Sequence, residues 1–168
     1  MRYYAAALAL SLLGGLSASV GHSAPSRPAD PRVAALMVQG QGELAAGRFD
    51  AAIDAYEAAL TVQPGNVAVL LELAQATRRQ GLQGKALHYY RLALANEPQN
   101  VIAISGEGMA LAEKGALDRA RRNLVRLRGL CGESCEATQQ LSAAIAKGPS
   151  PRVVSAEAIK PEPVITEN

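Results

Sequence analysis

Between Val33 and Ala146 apolar residues recur at three- and four-residue spacing in seven successive stretches, each closed by Gly, Pro or a polar break. That spacing is one face of an α-helix, and stretches of this length are helices rather than strands. Asp30 before Pro31 is a helix start, an N-cap followed by proline at the first helical position. Periodicity then runs from Val33, with Leu36, Gly40 and Leu44 on one face, until Gly47 stops it. The following helices are predicted over Phe49–Val62, Val67–Gln80, Gln83–Asn96, Val101–Lys114 and Leu117–Arg128. Asn66 and Asn100 precede two of these runs, where an Asn side chain caps free backbone N–H groups. After a break at Leu130 to Glu133, Ser134 is expected to cap a seventh helix that ends before Gly148-Pro149. Loops this short make consecutive helices antiparallel neighbours, so the fold class is all-α.

The pattern also repeats. Val33–Asn66 laid over Val67–Asn100 gives 11 identities in 34 positions, where chance at ordinary composition gives about two or three. A fixed period of 34 is the mark of stacked helical hairpins. Small residues at Gly40, Ala52, Ala74, Ala86, Gly108 and Ala120 let helices approach closely, and Tyr56, Tyr90 and Leu124 are expected to plug the space around them.

On these residues the segment resembles tetratricopeptide repeats. Leu36, Gly40, Gly47, Phe49, Ala52, Tyr56, Ala59 and Pro64 supply the family pattern in the first copy. Leu70, Ala74, Gly81, Ala86, Tyr90, Ala93 and Pro98 supply it in the second, and Ile104, Gly108, Gly115, Leu117, Ala120 and Leu124 in a third. The expected organisation is an α-solenoid of three hairpins at 33–66, 67–100 and 101–132, with a polar capping helix at 134–147. Departures occur at Glu43, Thr77 and Leu111, where the family carries an aromatic, and imply a looser pack in the first two hairpins.

The resemblance implies that the first helix of each hairpin lines a concave, peptide-holding groove. The matching positions are Ala34, Met37, Gln41, Leu44, Ala68, Leu71, Gln75, Arg78, Arg79, Ile102, Ser105, Met109, Ala112 and Glu113. Met37, Gln41, Leu44, Leu71, Gln75, Arg78, Ser105 and Met109 are the candidate partner contacts, an apolar trough with two amides and a cation. Arg78 reads equally as a clamp for an acidic group and as a solvated helix end favoured by the helix dipole. The Lys and Asn places of the family's chaperone-tail clamp hold Met37, Val38, Leu71 and Glu72 here, so that activity is not implied.

Composition adds little to the fold and more to the compartment. Arg2 is followed by an apolar run of 12 residues, 5–16, and then by small residues, the order of a secretory signal. The run is short for a span of about 20 residues, so a cleaved signal over 1–23 is expected, with an uncleaved anchor over Tyr3–Val20 as the alternative. Residues 24–32 read as a Pro-rich linker and 148–168 as a disordered tail. The expected location is therefore the cell envelope, periplasmic or secreted, or membrane-anchored if the signal stays.

Cys131 and Cys135, with three residues between them, suit a structural disulfide in an exported chain. A reactive thiol pair is the competing reading, weakened because the spacing is not Cys-x-x-Cys. The net charge of +2 gives no reason to expect a nucleic acid, or a membrane once the signal is removed. Arg119, Arg122 and Arg126 nevertheless share one helical stripe, a solvated face or a site for an acidic partner. No cofactor, metal or catalytic group is expected, since neither a nucleophile–base pair nor a ligand set assembles around His88. The expected function is a non-catalytic scaffold for a protein partner, with thiol redox chemistry and self-association as alternatives.

Overall fold

The computed structural model describes residues 30–149, so the predicted signal, most of the linker and all but the start of the tail lie outside the described residues. Seven helices fill the described part: α1 (Pro31–Ala45), α2 (Phe49–Val62), α3 (Val67–Arg79), α4 (Gln83–Asn96), α5 (Val101–Glu113), α6 (Leu117–Cys131) and α7 (Glu136–Lys147). The starts alternate in kind. Asp30, Asn66 and Asn100 cap α1, α3 and α5 through their side chains, with Asn66 accepting from the Val69 amide at 3.2 Å and Asn100 from the Ala103 amide at 2.9 Å. Each such cap stabilises a helix by about 1 kcal/mol. Helices α2, α4 and α6 have no side-chain cap. They follow turns through Gly47, Gly81 and Gly115, all at φ between 74° and 89°, a left-handed conformation that favours glycine.

The helices pair as α1/α2, α3/α4 and α5/α6, and the hairpins stack through α2 on α3 and α4 on α5. Helix α1 also packs on α3, α3 on α5 and α5 on α7, whereas the backbones of α2, α4 and α6 stay apart, with α4 meeting α2 through side chains such as Tyr89 and Lys85 at Glu57. The stack therefore curves, with α1, α3, α5 and α7 on the inner, concave side. It is an all-α solenoid.

Its core is one seam rather than one centre. The Tyr56 ring is fully buried against α1, where a Cβ on Gly40 would stand 2.4 Å from it. Tyr90 packs the same way onto α5 of the next hairpin, 2.3 Å from a Cβ built on Gly106. The looser pack expected from Thr77 does not appear there: its side chain is fully buried and its hydroxyl donates to the Leu73 carbonyl at 2.8 Å.

At the junction of the last two helices two boundaries differ from the sequence expectation by more than one residue or in the capping residue. Helix α6 continues through Leu130 to Cys131, because Gly129 accepts helical geometry and only Gly132, at φ 84°, ends the run. The N-cap of α7 is Cys135 rather than Ser134, and it makes no side-chain capping bond.

Burial first, and the Glu72 carboxylate second, push the Tyr56 phenol up to about 12. Burial also raises Tyr89 to about 12, reinforced by a 3.0 Å hydrogen bond that its hydroxyl donates to Glu57. The unfolded chain releases these protons near 10, so the stability they represent is intact below pH 10 and lost as pH rises towards 12. For Tyr56 alone the loss is about 2–3 kcal/mol. Urea midpoints taken from pH 9 to pH 12 should fall steeply in the wild type and less steeply in Tyr56→Phe; parallel curves would show that Tyr56 does not carry the effect.

Candidate functional site

Helices α3, α5 and α7, with one side chain of α4, close a pocket of about 270 Å³ on the concave face. Its lining runs from Gln75 and Arg78 on α3, through Tyr90 on α4 and Ile102, Ser105, Gly106 and Met109 on α5, to Glu136, Ala137 and Gln140 on α7. Ile102 is 64% exposed at its rim. Four of the eight candidate contacts, Gln75, Arg78, Ser105 and Met109, thus come together. Met37, Gln41 and Leu71 lie further along the same face: Met37 and Leu71 are half-buried, and Gln41 donates to Glu72 at 3.3 Å.

Leu44 is not a groove residue. It is buried at 6% exposure with Ala52, Ile53 and Tyr56, because the α1/α2 hairpin closes over the last turn of α1. Ser105 is also buried, at 3%, and its hydroxyl donates to the Ala137 carbonyl at 3.1 Å, so it seats α7 rather than meeting solvent. Ala112 is buried too.

Arg78 is held. Its Nη1 lies 2.5 Å from Glu113 Oε1, and both side chains are only 20–25% exposed. The pair ties α3 to α5 across the groove floor and neutralises the cation, so Arg78 does not stand as a clamp for an acidic group. Arg79 points elsewhere, over the Phe49 ring at 5.6 Å, a cation–π contact. Burial pushes the Tyr90 phenol up against the opposing pull of Arg78. It stays a neutral hydroxyl at ordinary pH.

The wall made by α7 was not anticipated as part of the groove. Gln140, on the helix read as a polar cap, lines the pocket, its amide donating to Glu136 at 2.8 Å. The signal was in the sequence. One further period after Val101 falls at residue 135, so α7 stands where the first helix of a fourth hairpin would begin. Cys131 and Cys135 are joined across this junction, with Cα atoms 5.6 Å apart. Cys131 Sγ also lies 3.6 Å from the Thr138 hydroxyl. Among the described residues no group of three or more His, Cys, Asp or Glu side chains is placed to hold a metal ion.

A family model described as tetratricopeptide repeat matches residues 37–101. Those residues are similar to the tetratricopeptide repeat. Solved structures agree on the fold of the repeat array. The first tetratricopeptide domain of Spaghetti (RPAP3), bound to the HSP90 peptide SRMEEVD, is 25% identical, covering 70% of this chain and 93% of that one at TM-score 0.63. The Sgt2 domain from Aspergillus fumigatus is 23% identical over 76% and 91%, with TM-score 0.64. The type III secretion chaperone SycD of Yersinia enterocolitica, in complex with a peptide of the translocator YopD, is 15% identical over 73% and 95%, with TM-score 0.63. No curated protein sequence matches the chain.

Proposed function

We propose that this chain is a non-catalytic tetratricopeptide-repeat scaffold of the cell envelope that holds a segment of a partner protein in its concave groove. The observation that carries the reading is the pocket between α3, α5 and α7. Ile102 and Met109 offer apolar contact that adapts to shape, and the Gln75 and Gln140 amides stand beside them to bond a partner's backbone. The similar RPAP3 domain is bound to a peptide, which supports a peptide segment as the partner. The envelope location rests on Arg2 and the apolar run 5–16.

A partner captured from an envelope fraction by the wild type should be lost, by about tenfold or more in affinity, with Met37→Glu combined with Leu71→Glu, since each places a charge on an apolar contact. Ile102→Glu with Met109→Glu should do the same at the pocket. Undiminished capture by both double variants would defeat groove binding. Recovery of the intact, uncleaved chain from the cytoplasmic fraction would defeat the location.

A further inference from the structure

The net charge of +2 conceals an uneven distribution. Helix α6 carries five arginines against the single Asp118, so everything outside α6 is net acidic. At the other end of the outer layer α2 carries Asp50, Asp54 and Glu57 and no cation. The molecule is therefore polar along its stack, basic at its last hairpin.

The arginines on α6 differ in their partners. Arg121 pairs with Asp118 and Arg128 with Glu133, each at 2.8 Å and exposed. Arg126 donates to the Pro98 carbonyl, which fixes its stem but leaves its charge uncompensated. Arg119 and Arg122 have no ion-pair partner among the described residues and are exposed. Residues 119, 122 and 126 fall on one stripe of the helix, about 10 Å long. Val125, 65% exposed, sits beside that stripe, and Leu130, 39% exposed, lies at its end. The opposite face, Ala120, Leu124 and Leu127, is buried, so this outward face is fixed by the fold.

We propose that the outer face of α6 docks on an anionic lipid membrane. The arginines stand in a row along a convex ridge and do not converge, which is unsuited to one compact anion and suited to many phosphates spread in a plane. Val125 and Leu130 supply the apolar contact that an interfacial helix places at the headgroup boundary, while long arginine stems let their charges reach the phosphates. No helix among the described residues is long and apolar enough to cross a membrane, so the contact is peripheral. The expectation of no membrane partner rested on net charge alone, and it is the distribution that reverses it. With α6 on the lipid, the groove faces away from it, because the two surfaces belong to opposite layers.

The test is sedimentation of the full chain with vesicles of phosphatidylcholine alone or with one third phosphatidylglycerol. Any apolar attachment through residues 5–16 would be common to both lipids, so the readout is the ratio of anionic to neutral binding. Three arginines at roughly fivefold each predict a ratio of about 100 at low salt, collapsing at high salt. Arg119→Gln with Arg122→Gln should lower that ratio about 25-fold, and Val125→Ser by a smaller factor. All these sites are exposed, and circular dichroism checks that the variants fold. The Met37→Glu, Leu71→Glu variant should bind vesicles as the wild type does, which separates this surface from the groove. A ratio near one, or a ratio unchanged in the double arginine variant, overturns the proposal. So does Arg122-dependent binding of polyglutamate without binding of anionic vesicles, which would give the face to an acidic protein instead.

Discussion

Leu141→Ala should cost about 3–4 kcal/mol of stability, measured as a shift in the urea unfolding midpoint, and abolish the pocket. Leu141 is fully buried, and its methyl groups occupy the space above Gly108, where an added Cβ would stand only 2.6 Å from them. Truncating a buried leucine costs 2–5 kcal/mol, the more when the surroundings cannot close the cavity. Gly108 has no side chain to move into the space, so the cost falls near the middle of that range rather than at its low end. Leu141 and Thr138 are the buried side chains of α7. Losing one frees the helix that supplies Glu136, Ala137 and Gln140 to the pocket. Partner affinity should therefore drop together with stability, and hydrogen exchange should rise in α7 before the rest of the array. A loss below about 1 kcal/mol would mean that α7 is not seated as described.

The second large effect is expected at Gly106. A Cβ there would lie 2.3 Å from two atoms of the Tyr90 ring, which is itself buried at 3% exposure. Gly106→Val should destabilise by about 2–3 kcal/mol through overpacking, and it should displace Tyr90 from the pocket. The clash involves the far ring atoms and the hydroxyl, which leucine lacks. Tyr90→Leu should thus cost less on the Gly106→Val background than alone, a coupling that a double-mutant cycle measures. Gly42 is the control, because a Cβ there meets nothing within 4 Å. Gly42→Ala should leave stability unchanged or raise it by up to about 1 kcal/mol, the helix propensity gain. Equal losses at Gly42 and Gly106 would refute the close contact.

Helix order and hairpin pairing were legible because they are local. The capping residues Asn66 and Asn100 and the turn glycines Gly47, Gly81 and Gly115 are read within a few residues of where they act. What lies between hairpins was not. Nothing near Gly106 announces that Tyr90, sixteen residues earlier and in another hairpin, will lie on it. Leu44 has the right phase for the groove, yet it is drawn under the α1/α2 hairpin by the residues it meets there. Ser105 likewise has groove phase and is covered by a helix from outside its own hairpin. Helix α7 was read by composition, as polar cover, although the period of 34 already placed it among the inner helices. The arginines were visible as letters, but their common outward face follows only once Ala120, Leu124 and Leu127 are turned inward.

The junction before α7 holds a last consequence. Helices α3 and α5 each begin on an asparagine that caps the first turn through a hydrogen bond. Cys135 stands in the same position at the start of α7 with its side chain bound covalently to Cys131 instead. Such a link changes only by thiol exchange, over seconds to hours. The direction in which α7 leaves α6 is thus held covalently, whereas the starts of α3 and α5 are held by packing and a hydrogen bond.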